Sequence, residues 1–277
     1  MRVTVPLRDD LALTIADAPE GNGYPTSRLQ RGLSLLDAGA DLAGEGVGFG
    51  VPVLKRGPQT VFPGAVRLAE RAADGERVVV AEYRLDLVER LAGRDGRGPS
   101  SARFYALRDA AAALHRQVPV LRGPLTAVSN GVRRQHGWQT TFEQTATVAT
   151  LAVTYRIDGG AGRLRVTLDT SGLPSEGVTE VVVMNELGAG PFDQYLDSDG
   201  ARLHGRRIGT WDVVCASGAC FASTTTGVAF RLTQVPGATL YRGREVVGAR
   251  LSWAGFGYSL RPGHGRFTYD VHLLRAP

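Results

Sequence analysis

Apolar residues at every second position dominate this chain, and that period commits most of it to an extended, pleated backbone. Leu151, Val153, Tyr155 and Ile157 fall on one face of such a segment. Asp158, Gly159, Gly160, Ala161 and Gly162 then turn the chain, and Leu164, Val166 and Leu168 carry it back. The same alternation predicts strands over 3–15, 28–36, 59–69, 77–88, 140–147, 178–184, 208–216, 221–234, 239–260 (broken near Gly243) and 266–274. Gly, Pro and Asp turns link them, with Gly 36 and Pro 14 among 277 residues, rather than crossover helices. The sheets are therefore expected to be antiparallel. One stretch departs from the pattern. Residues 100–117 are Ala-rich, stop before Val118-Pro119, and place Phe104, Leu107, Ala111 and Leu114 at helical spacing. The expected fold is mainly β: a large antiparallel β-sandwich forming one domain over 1–277, with an amphipathic helix at 100–117 inside an insertion at about 93–119.

The net charge is +5 with a pI near 9.5. Arg residues are spread along the whole chain, with no basic run longer than Arg133-Arg134 or Arg206-Arg207, so a nucleic-acid partner is not expected. An acidic polymer is compatible with the charge. No apolar stretch reaches membrane-spanning length, and the first fifteen residues are broken by Pro6 and the run Arg8, Asp9, Asp10, so neither membrane partner nor signal peptide is expected and the location is read as cytoplasmic. Lys55 is the only Lys, and Asn, Met and Cys are scarce. That composition fits a thermostable protein, and a GC-rich genome explains the Arg bias equally well. Cys215 and Cys220 read as flanking a hairpin loop, close enough for a disulfide, with two reduced thiols as the favoured state.

The densest chemistry lies in 185–199. Val181, Val182, Val183 and Met184 feed into Asn185, Glu186, Asp193, Tyr195, Asp197 and Asp199, with Gly188 and Gly190 between. Acids on a Gly-bent loop at the end of a buried strand are costly unless they are used. Two carboxylates in unlike environments serve as acid and base, or acid and nucleophile, at a glycosidic bond. Glu186 and Asp193 are the expected pair, with Tyr195 and His204 as further catalytic candidates and Asn185 and Asp197 as substrate-binding groups. Asp197-Ser198-Asp199-Gly200 is also a good hairpin turn on composition alone.

Elsewhere, Gly44, Gly46, Gly48 and Gly50 alternate around Glu45. They suit a strand closely approached by another backbone or a flat ligand, and Glu45 is a secondary site candidate. Trp138, Trp211 and Trp253 are the aromatic candidates for sugar stacking. Trp253 shares a strand face with Gly255 and Gly257, opposite Phe256 and Tyr258, which predicts a groove beside it. His115, His136, His204, His264 and His272 show no metal-ligand spacing, and neither a dinucleotide fingerprint nor a nucleophile elbow is present, so no metal or cofactor is expected.

Antiparallel strands throughout, with acids and aromatics presented from strand ends, resemble the large β-sandwiches of carbohydrate-active proteins, the galactose-mutarotase-like supersandwich in particular. The resemblance is architectural and carries no motif residue by residue. It implies a His acid and a Glu base for mutarotase-type catalysis, for which His204 with Glu186 is the available pair. The expected function is a carbohydrate-active enzyme (hydrolase, lyase or isomerase) acting on a small-molecule or glycan substrate by carboxylate acid/base chemistry. The alternative is a non-catalytic, lipocalin-like module binding a sugar or apolar ligand through Trp138, Trp211 and Trp253. A homo-oligomer is compatible with either.

Overall fold

A computed structural model of the chain describes residues 1–18, 29–57, 59–73, 76–92, 139–173, 177–247, 251–263 and 265–275. The helix expected at 100–117, with its insertion and Trp138, lies outside the described residues.

The described residues form eighteen strands. A small sheet holds β1 (Arg2–Pro6), β2 (Leu11–Ala16), β3 (Ser34–Asp37) and β4 (Ala40–Asp41), paired in chain order. The others are β5 (Gly48–Arg56), β6 (Gln59–Ala73), β7 (Glu76–Ala92), β8 (Gln139–Asp158), β9 (Arg163–Asp169), β10 (Glu180–Gly188), β11 (Gln194–Asp197), β12 (Arg202–His204), β13 (Asp212–Val213), β14 (Gly218–Ala222), β15 (Val228–Thr233), β16 (Ala238–Val247), β17 (Leu251–Leu260) and β18 (Arg266–Arg275). They make one fourteen-stranded sheet in the order β12-β11-β14-β15-β18-β9-β8-β7-β6-β5-β10-β17-β16-β13. All registered pairs are antiparallel, as the turn chemistry predicts.

This sheet folds back on itself. Phe49 on β5 meets Phe230 on β15 edge-to-face at 5.4 Å, and the Tyr155 hydroxyl on β8 reaches the carbonyls of Phe49 and Gly50 at 3.1 and 3.2 Å. Two stretches of the same sheet thus pack face to face as a sandwich, and their apolar faces form one continuous core. The bend falls where the ladder is interrupted. The β6–β7 register shifts around Pro63, and the β7–β8 register shifts between Leu85 and Leu87. Bulges of this kind let a long strand leave one layer and enter the other. Gly64 sits at one of them because a Cβ there would meet the Asp86 Oδ1 at 2.3 Å.

Several boundaries differ from the sequence reading. The 3–15 stretch is a hairpin, because Asp9 and Asp10 adopt positive φ (57° and 60°). The 208–216 stretch holds only β13, preceded by a 3-10 turn at Gly205–Ile208. Gly209 (φ 85°) and Trp211 (φ 58°) break the extended backbone between them. The 221–234 stretch splits at Gly227 (φ 70°). The break expected near Gly243 lies past Val247 instead, and Gly243 continues β16. Cys220 belongs to β14 between β11 and β15, while Cys215 precedes that strand, so they do not flank a hairpin loop. Both thiols are free.

Candidate active site

Asn185 and Glu186 lie inside β10, not on a loop after it. That strand runs between β5 and β17, near the middle of its layer. Consecutive side chains on a strand point to opposite faces. The alternation therefore sends these two neighbours to different environments, and both are buried.

Asn185 faces the core. Its Oδ1 accepts from the Tyr269 hydroxyl at 2.7 Å and from the Gly50 N–H at 3.2 Å, and its Nδ2 donates to the Val183 carbonyl at 3.3 Å. Gly50 is the unpaired residue where the β5–β10 register shifts. Its φ of 75°, and the 2.6 Å a Cβ would leave to Tyr155, make glycine the residue that fits. Beyond it, the Tyr83 and Tyr155 hydroxyls are 2.8 Å apart. Burial raises both phenols well above their ordinary range. These groups form a neutral, satisfied network in the core.

Glu186 faces the other side. The register places it opposite Gly255 on β17 and Gly48 on β5, with Met184 opposite Gly257 and Gly188 opposite Trp253. On β16, Glu245 is opposite Trp253 and Gly243 opposite Gly255. This face therefore carries Glu186, Glu245 and Trp253 among glycines. Trp211 completes it by stacking on Trp253, with centroids 5.0 Å apart and planes at 29°. The glycines make that room: a Cβ at Gly257 would meet the Trp211 ring at 2.7 Å, and one at Gly243 the Trp253 ring at 2.7 Å. The groove expected beside Trp253 exists, and indole fills it. Trp211 holds a left-handed φ, which is rare for a bulky residue and costs on the order of 1–3 kcal/mol.

A turn through residues 44–47 crosses over Glu186. A Cβ at Gly46 would lie 2.5 Å from the Glu186 carbonyl oxygen, and Gly188 donates its N–H to Leu42 at 2.9 Å. Arg31 fastens the turn through Nη2 to the Gly44 carbonyl at 2.6 Å and through its ion pair with Asp41 at 3.5 Å. The alternating glycines are thus where one backbone approaches another, with Glu45 part-exposed on that turn. Glu186 is 5% exposed, and its carboxyl is pushed up to about 8. Burial is the main cause and the neighbouring Glu245 adds to it, while the Val47 N–H pulls the other way. The carboxyl is thereby protonated at neutral pH.

The remaining candidates occupy other places. Asp193 accepts from the Thr224 N–H at 3.2 Å and hydroxyl at 2.9 Å, and its charge acts on Arg244. Arg244 and Glu245 are consecutive on β16 and so project to opposite faces. Asp193 lies on the Arg244 side and Glu186 on the Glu245 side, so the structure does not bring the expected acid/base pair together. Tyr195 is buried, donates to Asp197 at 3.1 Å and lies under the Arg242 guanidinium at 4.5 Å. Burial pushes its phenol up to about 12 against the pull of Arg242. Asp197 also accepts the N–H groups of Asp199 and Ala201 at 3.1 and 3.0 Å, which is the turn geometry that composition predicts. His204 is exposed on β12, 3.2 Å from the Gln194 amide, and is not among the groups acting on Glu186.

What sequence reasoning missed is Glu245. It follows Gly243 by one strand period, and only the β16–β17 register brings it to Trp253 and towards Glu186. Among the described residues, no group of three or more His, Cys, Asp or Glu is arranged to hold a metal ion. A shallow depression of about 550 Å³ lies away from this face, lined by residues including Leu7, Arg8, Arg77 and Gly160. No helix among the described residues is long and apolar enough to cross a membrane.

No family model matches the chain, and no curated protein matches it. Solved structures do. An alpha-N-acetylgalactosaminidase, NagBb from Bifidobacterium bifidum, is similar as its quadruple mutant with a TM-score of 0.52 at 10% identity, over 99% of this chain and 36% of that one. Its ligand-free form gives 0.49 at 11% identity over the same shares. An alpha-galactosidase from Lactobacillus brevis gives 0.44 at 11% identity, over 99% of this chain and 39% of that one. The chain thus spans little more than a third of these hydrolases. At a TM-score of 0.52 the likeness to the first of these is one of fold, a large β-rich unit.

Proposed function

We propose that this chain is a carbohydrate-active protein that receives a sugar against Trp211 and uses Glu186 as a proton donor to a glycosidic or anomeric oxygen. The observation that carries this reading is a buried carboxyl, protonated at neutral pH, on the same sheet face as a second carboxyl and a stacked indole pair. A carboxylic acid kept neutral in a low-dielectric site can give its proton at pH 7, and a partner carboxyl then balances the charge that develops at the anomeric carbon. Glu245 takes that second role in place of Asp193. The part-exposed Trp211 ring offers an apolar face to the C–H face of a pyranose. The structural neighbours' names fit a carbohydrate role, and the fold they share with this chain supports it.

A second reading has its own observation. The 44–47 turn covers Glu186, as suits a sugar-binding module whose buried acid never meets the ligand. Chromatographic separation followed by mass spectrometry of products from a broad glycan panel, run with the wild type and Glu186→Gln, separates the two. Catalysis predicts fragments or isomers whose rate falls about 10²–10⁴-fold in the variant. It also predicts a rate lost as pH rises through about 8, where the donor proton leaves. An equal rate in the variant removes Glu186 from the chemistry. Tryptophan quenching by a glycan without turnover establishes the binding module.

A further inference from the structure

We infer that the outward face of β18, β9, β8, β7 and β6 is a self-complementary surface that pairs with a second copy of this chain. The inference is independent of the proposed function and rests on cross-strand register.

Five strands align their outward residues in rows. The central row is Thr268, Thr167, Thr154, Val80 and Ala69, each registered with the next. It is short-chained, and the Thr167 and Thr268 hydroxyls bond to each other at 3.0 Å. On one side runs the row Asp270, Arg165, Arg156, Val78 and Arg71, in which Val78 is buried. On the other side, Arg266 pairs with Asp169, and Ala152 with Glu82 and then Arg67. Arg266, Asp169, Glu82, Arg67 and Arg71 are exposed, and the Arg165 side chain is 45% exposed. The surface is therefore a low strip between two charged rows, and the rows are unlike: the first is mostly basic, the second mixed.

Two sheets packed face to face about a two-fold axis must satisfy one of two arrangements, and the charges separate them. An axis running along the strands stacks like on like at Asp169 over Glu82 of the second copy, Arg266 over its Arg67 and Arg156 over its own equivalent, with only Asp270 over its Arg71 of opposite sign. An axis laid along the threonine row leaves one like pair, Arg71 over Arg67 of the second copy, and otherwise reverses the signs. It sets Asp270 over Arg266 of the second copy and Arg165 over its Asp169, and it drops its Glu82 between Arg156 and Arg71. Each contact occurs twice by symmetry. Beyond these rows, Glu76 comes over Arg84 of the second copy, again with opposite signs. The low threonine strip lets the two sheets approach. Five strands about 4.8 Å apart and four to five rows about 6.8 Å apart give roughly 650–800 Å² per copy, against about 800 Å² per partner in a standard interface.

The test is sedimentation equilibrium on the full chain at low and high salt, with melting curves as fold controls. The expected result is a dimer that weakens as salt rises, since its exposed ion pairs are screened. Glu82→Arg with Asp169→Arg sets base against base and yields a monomer. Arg156→Asp with Arg165→Asp sets acid against acid and does the same. Mixing the two variants restores a dimer, because each supplies the charge the other lost. Glu82→Arg alone, which touches no turn, serves if the Asp169 change disturbs the fold. A wild type that is monomeric at its highest soluble concentration in low salt overturns the inference. So does a dimer that neither variant weakens, or a mixture of variants that stays monomeric.

Discussion

Asn185 and Glu186 are neighbours in sequence, both buried, and opposite in outcome. On the core face of β10 the carboxamide has a partner on each polar atom, and the groups it meets are neutral phenols and backbone. On the outer face the carboxyl meets one N–H and another acid, and its charged form is driven out. Burial alone therefore does not distinguish scaffold from site. What distinguishes them is whether the buried group is satisfied in its ordinary protonation state. The core face has the features of a structural network, and the outer face those on which the proposed function rests.

Mutations that exchange the two roles break the comparison where it is wrong. The largest effect is expected at Asn185. Asn185→Leu strands the Tyr269 hydroxyl and the Gly50 N–H in the core, at about 1–3 kcal/mol each, so denaturant melts should show a loss of about 2–6 kcal/mol. A loss under 1 kcal/mol would mean the network is not holding the bulge. Glu186→Gln should act with the opposite sign. The carboxyl's folded-state pKa of about 8 lies above its unfolded value, so the native state holds the extra proton between them. Stability contributed by that proton is present at low pH and is lost as pH rises from the ordinary carboxylate range to about 8. Gln should thus be near neutral at pH 5 and stabilising at pH 8, on the order of 3 kcal/mol at about 1.4 kcal/mol per pH unit. A variant equally stable relative to wild type at both pH values would falsify the strained-acid reading.

Gly257→Ala sharpens the outer face itself. The new methyl meets the Trp211 ring, so the indole pair must shift, at about 1–3 kcal/mol and with altered tryptophan emission. Unchanged emission would show that the stack is not seated on that glycine. The smallest effect belongs to the acidic hairpin. Asp199→Asn changes an exposed turn residue and should move stability by no more than about 0.5 kcal/mol and any activity not at all. A large loss of activity there would return the site to the 185–199 hairpin.

How legible was this? Period-two alternation predicts the strands well, because a half-buried sheet writes its two faces directly into the chain. Leu151 to Ile157 and Leu164 to Leu168 pair as that pattern requires. Boundaries failed where positive φ at ordinary residues decided them, as at Asp9, Asp10 and Trp211, since sequence type does not announce those conformations. For the site, local density of acids was a mixed guide. It singled out Glu186 as a candidate but grouped it with Asp193, Asp197 and Asp199, which cap turns or face solvent. The true neighbour, Glu245, lies two strands away in the sheet order, and registers across strands are not written in any one segment. The glycines at 46, 243 and 257 were the better signal, because each marks where another element lies on the sheet.

The position of β10 has a consequence in time. It joins β5, made before it, to β17, made after it, and the Gly50–Asn185 contact alone closes 135 residues of chain. Sheets built on such distant pairings pay loop-closure entropy before any contact rewards it, and fold on the millisecond-to-second scale. During synthesis β10 emerges with β5 waiting for it and β17 still absent. Gly255, Gly257 and Trp253 arrive only with β17. The face that carries Glu186 and Trp253 is thus incomplete in any intermediate synthesised only as far as β10.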